Sequence, residues 1–308
     1  MRREIAAVGL VVFAAAVALP TPAAAGGFVG PQGHVWAKLG YRVWSADRTF
    51  AGPNDRDTSS GVELGDRIAF DSTTGGQMRM RALETQIVGV PLPRLRTSLY
   101  MPVVQQIRFE NRNFETVTTG SGDIRPAVGY QLTPDGIDVG TTVNLRAKIP
   151  TTARTVDAAS VPLSEGQFDL AVDQTTTWAP IERLHLTLRT MFRYRAPGEL
   201  PETGERYKPG DETVVAARIG GQPIESVWLA AGYRGLWSTG WESRTGGTAG
   251  RSEFRMVQNA TASVYWSWGD LVGGAAEGFA VDLSATWPWT GRDYPAGPSL
   301  AAALAWEL

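Results

Sequence analysis

The sequence predicts an all-β protein, an antiparallel transmembrane β-barrel of about twelve strands with short periplasmic turns and longer extracellular loops. Three observations carry this expectation. Apolar and polar residues alternate with a period of two over many segments, the mark of a sheet whose two faces meet different surroundings. Short and long connections alternate along the chain, and tryptophans gather near both ends of the strands.

Composition narrows the field further. The 308 residues are 43% hydrophobic and 19% charged, with 35 Gly, 11 Trp, no Cys and a formal charge of −2. A chain this apolar and this weakly charged is not of the disordered type. It also lacks the cationic excess that nucleic-acid binding by counterion release needs, so no nucleic-acid partner is expected. Without Cys there are no disulfides, thiol nucleophiles, Cys-ligated zinc or lipid-modified cysteine. His34 and His185 are too few for most imidazole metal sites or His-based triads. No metal, no cofactor and no enzymatic activity are expected.

The chain opens with a segment set apart from the fold. Arg2 and Arg3 precede the apolar run Ile5 to Leu19, and Ala23-Ala24-Ala25 forms a small-residue cleavage site before Gly26. Residues 1–25 therefore read as a cleaved signal peptide, since the run is shorter than the roughly 20 residues of a membrane-spanning helix. Residues 26–308 read as a single barrel domain, and no stretch in it has the roughly 18 consecutive apolar residues of a spanning helix.

Strands are expected near 34–47, 80–91, 95–109, 123–133, 137–149, 168–179, 184–196, 212–221, 226–238, 252–267, 278–290 and 298–308. In the fifth, Ile137, Val139, Thr141, Val143, Leu145, Ala147 and Ile149 interleave with Asp138, Gly140, Thr142, Asn144, Arg146 and Lys148. The seventh sets Leu184, Leu186, Leu188, Phe192 and Tyr194 against His185, Thr187, Arg189, Arg193 and Arg195. In the eleventh, Phe279 to Trp289 alternates with Asp282, Ser284 and Thr286, and the last carries Leu300, Ala302, Leu304, Trp306 and Leu308 on one side. Tight, Pro-, Gly- or charge-rich links at 92–94, 133–136, 179–183 and 222–225 alternate with long polar stretches at 48–79, 110–122, 150–167, 197–211 and 239–251. Two connections break the rule: 269–277 is long for a turn and 291–297 is short for a loop.

In lipid only a closed sheet satisfies every backbone group, so apolar faces point to the acyl chains and charged faces line the lumen. The lumen is then expected to carry Lys38, Arg42, Glu84, Arg96, Arg108, Asp123, Arg125, Asp138, Arg146, Lys148, Asp169, Asp173, Arg189, Arg193, Arg218, Arg234, Arg255 and Asp282. For any one of them a cross-strand ion pair in the wall is favoured over contact with a solute. Trp36, Trp44, Trp178, Trp228, Trp237, Trp266, Trp287, Trp289 and Trp306 are expected as anchors at the membrane interfaces, where indoles sit with one edge wet. Twelve strands enclose less space than the 16 to 18 of open porins, so a narrow or gated conduit is expected. The long 47–79 connection is the expected constriction.

Other motifs are weak. Asp55, Asp57, Ser59 and Asp66 have a calcium-loop spacing, but Ser60 stands where that loop needs Gly. Gly120-Ser121-Gly122 lacks the third Gly of a dinucleotide loop, Arg125 standing there, and no phosphate-loop run exists. His34 and His185 read as edge and wall residues.

Three runs carry a family likeness. Residues 122–132 (Gly-Asp-Ile-Arg-Pro-Ala-Val-Gly-Tyr-Gln-Leu), 148–151 (Lys-Ile-Pro-Thr) and 165–170 (Glu-Gly-Gln-Phe-Asp-Leu) resemble the exported barrel family named for the meta-pathway of phenol degradation. That family is similar to the long-chain fatty-acid transporter type of outer-membrane channel. The likeness is best over residues 80–235, and it departs at Thr152, where Gly is usual, and at Leu308, where an aromatic is common. It implies a channel for passive uptake of small hydrophobic or aromatic compounds, with the outer-membrane bilayer and its insertion machinery as partners and the solute unidentified. The alternative is a structural or adhesion barrel with a filled lumen.

Overall fold

The computed structural model describes residues 29–51, 67–69, 76–151, 163, 166–181, 183–199, 206–240, 242–245, 248–251, 254–267, 279–292 and 294–308. The expected signal peptide, the calcium-like Asp55–Asp66 segment and most of the expected 47–79 constriction lie outside these residues. The barrel strands are β1 (Val35–Ala46), β2 (Gln77–Leu92), β3 (Leu95–Glu110), β4 in two pieces (Glu115–Gly120 and Arg125–Gln131), β5 (Val139–Lys148) and β6 (Asp169–Ile181). They continue with β7 (Leu184–Arg195), β8 (Glu212–Ile224), β9 (Val227–Ser238), β10 (Arg255–Ser267), β11 (Phe279–Arg292) and β12 (Ser299–Glu307).

Each strand pairs antiparallel with its chain neighbours, and β1 pairs with both β2 and β12. The seam runs from Trp36 opposite Glu307 to Trp44 opposite Ser299, so the sheet closes on itself and presents no open edge. The twelve-stranded antiparallel barrel expected from the alternation is the fold observed. Leu39, Tyr41, Val128, Leu145, Val172, Leu188, Phe192, Leu229, Leu283 and Leu304 stand exposed on its outer surface, an apolar belt of the kind acyl chains cover.

One strand departs from the expected pattern. Residues 110–122 were expected as a loop. Instead, Glu115–Gly120 pairs with Gln105–Glu110 of β3, joined by a turn in which the Asn111 side chain accepts from the Asn113 and Phe114 amides. The second piece of β4 pairs with the other half of β3 and with β5. Opposite the break, Leu83 pairs with Val104 but Glu84 with Pro102, leaving Val103 as the extra residue of a bulge. Pro102 has no N–H to give a ladder, and its own carbonyl accepts from the Gly122 amide within the break.

The bulge reverses which side chains face inward. On the turn side of it Arg96 and Ser98 face the lumen, whereas on the loop side Gln105, Ile107 and Phe109 are the buried, inward residues. Arg108 therefore faces out, beside Glu110 (2.8 Å) and Glu115 (3.1 Å), and the expectation that it lines the lumen is corrected. Asp138 is corrected as well: β5 starts at Val139, and Asp138 lies exposed in the preceding turn.

On the loop side two small sheets form. Arg48–Phe50 pairs with Arg67–Ala69 and with Tyr294–Pro295. Gly198–Glu199, Arg206–Lys208, Glu242–Thr245 and Thr248–Arg251 make the other. Closure has a direct test: protein folded in detergent and loaded unboiled on a gel should migrate away from the boiled form, and equal mobility would count against a sealed cylinder.

Candidate functional site

The inner wall is built from side chains two apart on each strand, and its ion pairs follow from register. Arg42 on β1 donates to Glu84 on β2 in a two-pronged contact, Nε to Oε1 at 2.7 Å and Nη2 to Oε2 at 2.9 Å, with both side chains buried. Lys38 on β1 donates to Asp282 on β11 at 2.6 Å, reaching over β12. The residues beneath are Ala303 and Ala305, opposite Asp282 and Lys38 respectively, and their small side chains leave the space.

The same device recurs. Arg96 on β3 reaches over Gly129 of β4 to donate to Asn144 Oδ1 on β5 at 3.0 Å. A side chain at Gly129 would collide with Asn144, a Cβ there standing 2.1 Å from Oδ1. Arg218 on β8 likewise passes Gly232 of β9 to donate to Ser263 on β10.

Carboxylates are shared by more than one cation. Asp173 on β6 accepts from Arg146 on β5 and from Arg189 on β7 at 3.1 Å, and also from Asn144 at 2.8 Å. Glu212 on β8 accepts from Arg193 (2.9 Å) and Arg195 (3.3 Å) of β7. Lys148 is the reverse case, 3.1 Å from Asp169 and 3.8 Å from Asp123. Arg125 stacks its guanidinium over the Tyr100 ring at 5.4 Å. Arg234 lines the lumen, and Arg255 shares an inner face with Val257.

The lumen has two zones along its axis. Toward the loops it is packed with apolar groups. Trp44, Ala46, Met78, Met80, Ile107 and Phe109 form one cluster. Ala171, Met191, Val214, Leu236, Val257 and Ala296, with Tyr294 against them, form the second. Tyr294 and Ala296 come from the short connection before β12, which folds into the mouth, and its Gly297 carbonyl accepts from Trp44 Nε1 at 3.2 Å. Gly297 sits so close to β1 that a Cβ would stand 2.0 Å from the Ser45 carbonyl oxygen. Beside this packing the lumen opens into two adjoining cavities, one of about 230 Å³ toward the turns and one of about 90 Å³ that reaches Lys148, Asp169 and Arg193 nearer the loops; they share Gln86, Ser98, Ala127, Arg146, Arg189, Val214 and Arg234 in their walls.

Sixteen of the eighteen residues expected at the lumen stand on the inner wall, Arg108 and Asp138 being the two that do not. The tryptophans divide by facing. Trp178, Trp266 and Trp306 lie on the outer face near the turns, and Trp237, Trp287 and Trp289 on the outer face near the loops. Trp36, Trp44 and Trp228 point inward, which corrects their expected role at the lipid interface. They share the inner register of Lys38, Arg42 and Arg234. Trp36 stacks with His34, which pairs with Glu307 at the turn-side rim. Trp228 lies against the backbone of Gly220, and His185, directly opposite that glycine, meets the indole at 4.7 Å between ring centroids. Sequence reasoning missed this pair, although its inward facing was readable from alternation.

A closed antiparallel cylinder, apolar outside and charged within, is the architecture of the outer-membrane β-barrel class. Among solved structures, an outer membrane channel from Pseudomonas putida F1 superposes with a TM-score of 0.68 at 13% identity, over 91% of this chain and 97% of that one. That likeness is one of fold. The NanC porin aligns at a TM-score of 0.48 and 7% identity over 89% of this chain and 100% of that one. A toluene transporter from Ralstonia pickettii aligns at a TM-score of 0.40 and 10% identity, over 92% and 91%. No protein-family model and no curated protein matches the sequence.

The buried pairs make a stability prediction. Glu84→Ala strands the Arg42 guanidinium in the wall and should lower unfolding stability by about 3–5 kcal/mol. Glu115→Ala removes an exposed partner of Arg108 and should cost less than about 1 kcal/mol. Urea unfolding in micelles, followed by tryptophan fluorescence, reads both.

Proposed function

We propose that this chain is an outer-membrane channel for passive uptake of small hydrophobic or aromatic compounds through a narrow polar lumen. On this reading residues 1–25 export it as a signal peptide, residues 26–308 form the barrel, and the outer-membrane insertion machinery assembles it. The observation that carries the proposal is the pair of adjoining, charge-lined cavities inside a sealed cylinder, which supplies a path walled off from lipid. The resemblance of residues 122–132, 148–151 and 165–170 to the meta-pathway barrel family supports the solute class. Neither a catalytic role nor a metal enters this reading.

One observation favours a second reading. The two apolar clusters pack the loop-side lumen, as a structural or adhesion barrel with a filled interior would require. On the channel reading the same packing is a stopper that moves, and removing it should open the path. The wild-type protein should give small conductance steps in planar bilayers, and the Tyr294→Ala, Leu236→Ala double variant should raise them about twofold or more. Silence from both proteins, each shown to be folded, would favour the filled barrel. Replacing Arg146 and Arg189 by Ala should shift ion selectivity if they border the path, and leave it unchanged if they act only in the wall.

A further inference from the structure

We propose that the larger, turn-side cavity is a binding site for a small aromatic carboxylate, gripped by arginines that make no ion pair and flanked by the Trp228–His185 pair. The proposal deepens the channel reading by naming its solute class, and so rests on that reading for passage, while binding can be measured apart from it.

The charge of this cavity is not balanced by the wall. Among the described residues, three arginines that line it make no ion pair. Arg96 donates to the neutral Asn144, Arg218 to the neutral Ser263, and the Arg234 guanidinium makes no hydrogen bond. The carboxylates nearby are already taken: Asp173 holds both Arg146 and Arg189, and Asp282 holds Lys38. Among the described residues, two buried nitrogens on the same face of β7, Arg189 Nε and His185 Nδ1, have no hydrogen-bond partner. Buried polar atoms are almost always satisfied, so orphaned ones bordering a cavity point to a molecule that fills it.

The chemistry of that molecule follows from what the walls offer. A cation would meet uncompensated guanidiniums in a space with little water to screen them. A neutral hydrocarbon would leave the same donors unsatisfied. A planar two-oxygen anion matches the guanidinium fork, which donates two parallel hydrogen bonds to a carboxylate. The same lining suits an apolar body: the Trp228–His185 pair, Val88, Ala216 and Ala230 stand among these arginines, Arg218 lying on β8 between Ala216 and the Gly220 against which Trp228 rests. With about 230 Å³ the cavity holds a single-ring molecule and several waters. An inorganic anion would satisfy the arginines but leave the aromatic wall unused.

Benzoate, benzyl alcohol and benzylamine have similar bulk and differ in charge, so the wild-type protein alone tests the idea. In micelles, benzoate should perturb tryptophan fluorescence saturably and bind at least about tenfold tighter than the other two and than acetate, which lacks the ring. Arg96→Gln with Arg218→Gln should weaken benzoate about tenfold or more. Trp228→Leu should weaken benzoate but leave acetate unchanged, folding of each variant being checked by gel mobility. Equal binding of the three aromatic probes, or binding of acetate as tight as benzoate, overturns the proposal. Saturable benzoate binding by a protein that passes no current in bilayers would keep the site and end the channel reading. Conductance without preference for benzoate over sodium, and without saturable binding, would do the opposite.

Discussion

The structure depends on one requirement, that no backbone N–H or C=O be left without a partner where water is absent. The pairing of β1 with β12 meets it. An open edge in hydrocarbon would leave a row of polar groups unsatisfied at several kcal/mol each, so an unsealed version of this sheet has no stable place in a bilayer. Closure then dictates the rest. Every strand must give one face to lipid and one to a lumen only twelve strands around, and alternation assigns each side chain to one or the other.

Crowding charged groups into so narrow a cylinder forces them to find one another. They do so across strands, and the reach of Lys38 and Arg96 over a neighbour works because that neighbour presents Ala303, Ala305 or Gly129 to the interior. Small residues in the inner rows are thus a spatial complement to the long ones two strands away. The pairing stiffens the wall. Because Asp173 and Glu212 each hold two arginines, Arg96, Arg218 and Arg234 make no ion pair among the described residues.

Much of this was legible in the sequence, because a half-buried strand writes its facing into every second residue. Twelve strands lie near where alternation placed them, and the inner faces of β5 and β7 carry the charged rows read from the sequence. What failed did so for identifiable reasons. A single extra residue, Val103, inverts the parity of β3, and no local signal besides Pro102 marks it, so Arg108 was assigned to the wrong face. The first piece of β4 was missed because Glu115 to Gly120 is polar and threonine-rich. The tryptophans were judged by height along the strand alone, whereas Trp36, Trp44 and Trp228 share parity with lysine and arginine. The mouth-filling role of Tyr294 and Ala296 was out of reach, since it arises from contacts with residues distant in the chain.

The position of those two residues ties the mouth of the lumen to the seam of the wall. Tyr294 and Ala296 immediately precede β12, the strand that joins the sheet to its own beginning. The stopper and the final seam therefore belong to the same stretch of polypeptide. Whatever displaces this stretch disturbs the packing across the mouth and the closing ladder together.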